Sequence, residues 1–175
     1  MSPAEKIAIV SVLEASRDDF QAATAGVSES LAKTRPGENR WSVLECVEHV
    51  TTVEEIFLAR LASGETTGEA PPEDVAKEAA LQLRLADRST RRQAPEAILP
   101  KGRFTSLAEG LDAFDAVRAR SLQFARDHAA DLYALVSSHA VLGLLNGVEA
   151  MTIIAGHSGR HAAQIREVLG TLENR

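Results

Sequence analysis

Four helix-start signals divide the sequence, and each precedes a segment in which apolar residues recur every three or four positions. Ser2, Ser42 and Ser106 are each followed three residues later by glutamate, which is the pattern of a capping box, and Asn146 is followed by Glu149 in the same way. Apolar recurrence at this spacing is typical of amphipathic α-helices. We therefore expect four long helices that begin near these residues. Their predicted ends lie near Gly26, Gly64, His128 and Gly170.

The longest connection, residues 64–103, decides the expected topology. Residues 64–72 have the composition of an exposed loop, and helix formers from Glu73 to Arg92 predict a further helical segment. Three helix breakers make the remainder a connector: Pro95, Pro100 and Gly102. A link of this length predicts an all-α, four-helix bundle with a long crossover connection.

The shorter connections carry weaker signals. Residues 28–33 predict one short helical turn, and residues 131–145 predict a short helix followed by a loop around Ser138, His139 and Gly143. The chain has 175 residues, of which 45% are hydrophobic, and this is enough to bury one core. We therefore expect a single domain over residues 1–175.

Charge and composition limit the expected partners and location. The net charge of −6 argues against a nucleic-acid partner, because phosphate binding needs a basic surface. The densest basic stretch, Arg84 to Arg92, is more typical of a solvated face than of an anion site. The sequence contains no apolar run of 18 residues, and Met1 to Leu13 lacks the apolar core of a signal peptide. One cysteine cannot form an internal disulfide, so a cytoplasmic protein without a membrane partner is expected.

The histidines supply the pattern with the most chemical content. His157 and His161 are four residues apart in the last predicted helix, so both side chains lie on one face. At 100° per residue, they flank the apolar stripe by roughly 60–100°, and His49 lies about 110° from the stripe of the second helix. Each helix therefore carries histidine at the border of its buried face. If these two borders meet in the fold, three imidazoles converge in one groove.

Three neutral imidazoles with one open position are the ligand set of a catalytic zinc site. Nitrogen ligands also suit nickel and other divalent first-row ions. Such an ion could activate a water molecule or a thiol as a nucleophile, and its binding should release protons because the imidazoles must be neutral. The pattern is equally compatible with three packed, hydrogen-bonded histidines at the edge of the core.

Four further side chains could contribute to this site or to the helices around it. Cys46, one turn from His49, could be a soft ligand, but its hydrophobic-staple position favours a buried structural thiol. Glu45 could hydrogen-bond the His49 ring, in competition with its capping role. Gln164 could orient a substrate or an imidazole, or fill a buried polar gap. His128 is expected to place a charge at the end of the third long helix.

Three segments together resemble the DinB-like (DinB/YfiT) superfamily of metal-binding four-helix bundles. Arg35 to His49 is similar to the family's RP…WS…E…H segment. His139 to Gly143 is similar to its H-P-x-x-G turn, with Ala140 in place of proline, and His157 to Gln164 is similar to its H…RH…Q helix. The three segments also have the order and separation that the family shows, so the resemblance covers most of the chain.

The resemblance implies that His49, His157 and His161 bind one divalent metal ion, with zinc or nickel as the expected ion. Gln164 is the expected cofactor-binding residue. Some members of the family are transferases or isomerases that use a low-molecular-weight thiol, and homodimers are common among them. The resemblance therefore implies that this chain forms a homodimer and that a low-molecular-weight thiol is a possible cofactor. His139 matches a recurrent position, and its role is open between a site residue and a loop residue that holds the last helix.

We therefore expect a metal-dependent enzyme with a small-molecule substrate, either a thiol S-transferase or a hydrolase. The alternative is a non-catalytic or stress-associated module whose metal ion stabilises the bundle. A metal-free bundle with packed histidines is the third possibility.

Overall fold

A computed structural model describes residues 2–64, 68–89, 93–127 and 131–174, most of which are helical. The long helices α1, α3, α5 and α6 cover Pro3–Thr24, Val43–Ser63, Leu107–Asp127 and Gly147–Glu173. The shorter helices α2 and α4 cover Glu29–Lys33 and Val75–Ala86, and single 3-10 turns cover Glu96–Ile98 and Leu132–Ala134. Two antiparallel strands, β1 (Val136–His139) and β2 (Gly143–Asn146), precede α6. The predicted four-helix bundle is confirmed, with this small sheet added.

Capping side chains start three of the long helices where the sequence predicted. Ser2, Ser42 and Asn146 each accept a hydrogen bond from the backbone N–H of the glutamate three residues on. That glutamate in turn accepts from the backbone N–H of the capping residue. These reciprocal bonds satisfy N–H groups that have no partner within the helix.

The fourth long helix, α5, uses a neighbouring helix as part of its cap. Ser106 accepts from the N–H of Glu109 as predicted, but the Glu109 carboxylate bonds to Thr105 instead. The carboxylate of Glu29 in α2 accepts from the N–H of Leu107 at 2.9 Å. A negative charge at this helix end is favourable, because the first N–H groups point towards it.

The short helix expected in residues 131–145 is the 3-10 turn Leu132–Ala134, whereas the loop expected around Ser138, His139 and Gly143 is a β-hairpin. Strands β1 and β2 pair antiparallel, with His139 opposite Gly143. Gly143 has a φ of +75°, a left-handed conformation that glycine adopts without strain. Leu145 of β2 is buried in the core, so the pairing satisfies backbone groups that this burial removes from water.

Helix ends differ from the predictions in two places. Helix α6 continues past Gly170, because Leu172 packs against the core and its burial outweighs the low helix propensity of glycine. Helix α4 ends at Ala86 and is shorter than the predicted segment. Helix α5 is described as far as Asp127, and His128, where it was predicted to end, lies outside the described residues.

The four long helices form a closed ring of neighbours. Helix α1 packs on α6, α6 on α3, α3 on α5 and α5 on α1, and α4 lies against α6. Buried apolar side chains form two clusters, one around Leu13 and Phe57 and the other around Phe20 and Phe114. No helix within the described ranges is long and apolar enough to cross a membrane. The single domain over residues 1–175 stays a prediction, as does the homodimer.

A buried polar layer lies between the two apolar clusters. Arg118 of α5 donates through Nε and Nη2 to the two carboxylate oxygens of Glu54 in α3, each at 2.8 Å. Its Nη1 donates to the carbonyl of Leu13 and to the Ser16 hydroxyl in α1, and Nη2 also reaches Ser158 of α6 at 3.0 Å. Polar groups of the other three long helices are therefore tied to a single guanidinium of α5.

Candidate metal centre

The three histidines predicted as ligands lie together between α3 and α6. One nitrogen from each ring lies within 4.8 Å of the others in the group His49, His157 and His161. The Nε2 atoms of His49 and His157 are 3.2 Å apart. Two nitrogens bound tetrahedrally to one zinc ion at its usual bond length are separated by about 3.3 Å. The donor set and its spacing therefore fit a single divalent ion.

Helices α3 and α6 hold these side chains at the depth of the buried polar layer. Ser158 lies between His157 and His161 in the sequence of α6. Its hydroxyl contacts Arg118, which in turn pairs with Glu54 of α3. The contacts hold α6 against α3 at the level of the cluster, so the two predicted helix borders meet there.

A backbone carbonyl sets the tautomer of His49. Its Nδ1 lies 2.8 Å from the carbonyl oxygen of Ile98, which can only accept, so Nδ1 carries the proton. The lone pair of Nε2 is left to face His157, as a metal ligand requires. The Glu48 carboxylate holds the same connector by accepting from the backbone N–H groups of residues 101–103 at 2.5–3.0 Å.

Burial keeps the three rings uncharged. It lowers the pKa of His49, and it lowers the pKa of His157 to about 3, with smaller contributions from His49 and Arg160. The pKa of His161 lies well below its ordinary value, first through burial and then through the neighbouring imidazoles, Arg88 and Arg160. Within the described residues, the buried Nδ1 of His161 has no hydrogen-bond partner. Neutral rings with a free nitrogen are ready to coordinate a cation.

Trp41 forms one wall of the cluster. Its ring centroid lies 4.7 Å from that of His49 and 6.0 Å from that of His161, nearly parallel to the latter. The wall limits access of water on this side. Trp41 is also the one tryptophan in the sequence, so its fluorescence reports on the site alone.

Comparisons with known proteins agree with this architecture. The sequence model of the DinB superfamily matches residues 12–165. The chain belongs to the DinB superfamily. No curated protein matches it.

Among solved structures, this DinB-superfamily chain is similar to YfiT from Bacillus subtilis, described as a probable metal-dependent hydrolase with an unusual four-helix bundle topology. The match has 16% sequence identity and a TM-score of 0.62, and it covers 99% of this chain and 90% of that chain. Identity this low shows a common fold. The family resemblance predicted from the three sequence segments is confirmed, and all three lie within the matched residues.

Cys46 and Glu45 do not join the cluster in this DinB bundle. Cys46 is fully buried, and burial raises its pKa to about 12, so the thiol does not ionise near neutral pH. The Glu45 carboxylate accepts from the backbone N–H of Ser42 and pairs with Arg35. The capping role therefore prevails, and a backbone carbonyl provides the hydrogen bond that Glu45 could have made to His49.

Gln164 lies beside the cluster, one turn beyond His161 in α6. Its Oε1 accepts a long hydrogen bond of 3.5 Å from Nη1 of Arg88. The same guanidinium nitrogen lies 3.4 Å from the backbone carbonyl of Arg160. The role of Gln164 in cofactor binding stays a prediction.

His139 lies outside the cluster, at the end of β1. Its Nδ1 accepts from the backbone N–H groups of Val141 and Leu142 at 3.1 and 3.2 Å, and its ring stacks on Phe57. These bonds close the hairpin turn and leave the ring proton on Nε2. They favour the interpretation of His139 as a residue that orders the segment before α6.

Two groups around the site were missed from the sequence. Glu54 and Arg118 interrupt the apolar stripes of α3 and α5, and two opposite charges at such positions could have indicated a buried pair. Glu48 and Ile98 gave no comparable signal. Their contacts involve the backbone of a connector, whose path depends on the tertiary fold.

Proposed function

We propose that this chain is a divalent-metal-dependent enzyme of the DinB superfamily, with His49, His157 and His161 as the metal ligands. The observation that carries the proposal is the approach of three neutral imidazole nitrogens to within 4.8 Å of one another. An ion held in this way would supply a Lewis acid with an open coordination position. Zinc or nickel is the ion that we expect.

The protein itself contributes orientation and shelter rather than a nucleophile. The Ile98 carbonyl orients His49, and Trp41 covers one side of the cluster. Cys46 is buried with a pKa of about 12 and cannot attack a substrate. In the described part of the chain, no carboxylate is hydrogen-bonded to the three rings. We infer that the nucleophile enters as a small molecule.

That nucleophile is either water, in a hydrolase, or a low-molecular-weight thiol, in an S-transferase. The description of YfiT as a probable metal-dependent hydrolase supports the first reaction. The family resemblance, which implies thiol-dependent relatives, supports the second. The metal-loaded protein should be assayed on activated esters and on alkyl halides, with and without thiol. Consumption of the thiol identifies an S-transferase, and turnover without it identifies a hydrolase.

Metal binding should depend on each histidine of the cluster. Metal-free protein titrated with Co²⁺ should bind one equivalent, with d–d absorption and with quenching of Trp41, whose ring lies 4.7 Å from His49. The variant His157→Ala should bind at least about 100-fold more weakly, because it removes one of three protein ligands.

The variant His139→Ala is the matched control, since it removes an imidazole that lies outside the cluster. It should keep stoichiometric binding. Equal Co²⁺ affinity of the wild type and His157→Ala would refute the ligand set. Tight binding without turnover of any substrate would instead refute the enzyme and favour a metal-stabilised module.

A further inference from the structure

One member of the basic stretch at residues 84–92 lies at the candidate metal centre. Nη1 of Arg88 lies 3.4 Å from the carbonyl of Arg160 and 3.5 Å from Oε1 of Gln164. Arg160 and Gln164 bracket His161 along α6, so the guanidinium lies over the turn that carries this histidine. Residues 90–92 of the stretch lie outside the described part of the chain.

The other edge of the guanidinium holds a carboxylate. Nε and Nη2 of Arg88 donate to the two oxygens of Glu167 at 2.9 and 2.6 Å. Two parallel bonds of this kind are the geometry in which arginine recognises carboxylates. The Glu167 side chain is 50% exposed, and such pairs contribute little net stability. An incoming carboxylate can therefore replace Glu167 at a small cost.

Two arginines, Arg88 and Arg160, lie at the turn of α6 that carries His161, although the whole chain carries a net charge of −6. A divalent ion would add two further positive charges. A cleft with charge of one sign concentrates ligands of the opposite sign.

We propose that Arg88 is an anion-binding residue of the metal centre, and that the substrate or thiol is a small molecule carrying a carboxylate. This carboxylate replaces Glu167 on the guanidinium while the reacting end of the molecule lies at the three histidines. His161 and Glu167 are about 9 Å apart along the helix axis, a span that suits a carboxylate a few bonds from the reacting atom. Gln164 then acts as a positioning residue for Arg88. The inference rests on the proposed metal centre and names the substrate class.

Two thiols of equal length test the inference on Co²⁺-loaded protein. 3-Mercaptopropionate and 3-mercapto-1-propanol differ in having a carboxylate or a hydroxyl group, and thiolate-to-cobalt absorption measures the binding of each. The wild type should bind the carboxylate at least about tenfold more tightly than the alcohol at low ionic strength. The variant Arg88→Gln should reduce this ratio to within about twofold.

The variant Glu167→Gln should have the opposite effect. It removes the internal competitor, so 3-mercaptopropionate should bind at least about threefold more tightly than to the wild type. A purely structural ion pair would not produce this gain. The matched controls are Arg166→Gln and Asp19→Asn, which make the same charge changes in a second exposed pair, between α6 and α1. Both should leave the ratio unchanged.

The outcomes separate the two proposals. Wild-type protein that fails to bind Co²⁺ would overturn the metal centre and, with it, the role of Arg88. Normal Co²⁺ loading with equal affinities for the two thiols would overturn the anion role alone. The anion role would also be overturned if Arg88→Gln kept the wild-type ratio of the two thiol affinities, or if Co²⁺-loaded protein bound neither thiol.

Discussion

At the scale of single residues, the candidate site depends on imidazoles that have lost most of their contact with water. His49 and His161 are 3% and 6% exposed, and burial disfavours the charged ring. Their lone pairs therefore stay available at a pH at which an exposed histidine would start to take up a proton. This changes the expectation from the sequence, because rings that are already neutral release few protons to a metal near pH 6. The release should appear in more acidic solution.

The metal-free protein should lose stability as the pH falls below about 6.5. The unfolded histidines take up protons near their ordinary pKa of 6.5, whereas the pKa of His157 in the folded chain is about 3. Between these values the unfolded chain binds more protons, so the free energy of unfolding decreases with falling pH. The loss continues until the folded ring itself protonates. Denaturant titrations between about pH 7.5 and 5.5 measure this slope.

The variant His157→Asn provides the comparison for this slope. The slope of stability against pH is set by the number of protons taken up on unfolding. The variant should lower this number by up to about one, because it removes a ring that protonates only in the unfolded chain. An unchanged slope in His157→Asn would show that other groups cause the effect.

At the scale of elements, the connector between α4 and α5 completes the site. The Ile98 carbonyl accepts a hydrogen bond from His49, and the Glu48 carboxylate accepts hydrogen bonds from three backbone N–H groups of residues 101–103. Capping boxes allowed the helix starts to be predicted, because they involve residues three positions apart. The path of the connector could not be predicted, since it depends on one carboxylate meeting backbone groups more than 50 residues away.

The variant Glu48→Gln should weaken metal binding by about 10–100-fold while the bundle stays folded. An amide offers one acceptor oxygen in place of two, so the connector loosens and the Ile98 carbonyl orients His49 less well. Loss of such an orienting contact typically has an effect of this size. Co²⁺ titration monitored through Trp41 fluorescence measures the affinity.

Glu55→Gln is the matched control for Glu48→Gln. Glu55 lies on the same helix and contacts the same connector, but through an exposed ion pair with the Arg103 side chain. Its loss should change metal affinity by less than about threefold. Similar effects of the two substitutions would contradict the special role of Glu48.

At the scale of the whole molecule, the buried polar layer joins the four long helices where the histidines lie. Arg118 has no exposed surface and Glu54 is 2% exposed, so both charges depend on each other and on the surrounding hydroxyl and carbonyl groups. A buried pair contributes less to net stability than to specificity when apolar residues could replace it. Here it defines which level of α3 lies against which level of α6.

Removing one member of this pair should be severely destabilising. The variant Glu54→Ala leaves the Arg118 guanidinium buried without a counter-charge, which should lower the free energy of unfolding by about 3–5 kcal/mol. Chemical denaturation of the metal-free protein measures the change.

The double variant Glu54→Leu with Arg118→Met tests the cause. It removes both charges and fills the space with apolar groups, so it should recover most of the lost stability. A double variant no more stable than Glu54→Ala would show that the hydrogen bonds to the other helices, rather than the unpaired charge, account for the loss.

Local sequence rules were enough to locate the long helices and to place the histidines at the borders of their buried faces. Caps and apolar periodicity act between residues three or four positions apart, so they can be read directly from the chain. The site itself joins residues that are far apart in the sequence: His49 and His157 are separated by 108 positions, and Glu54 and Arg118 by 64. Only packing of the whole bundle decides which borders meet and where the connector runs. The tertiary structure therefore decided the tautomer of His49, the neutrality of the three rings and the position of Arg88 beside them.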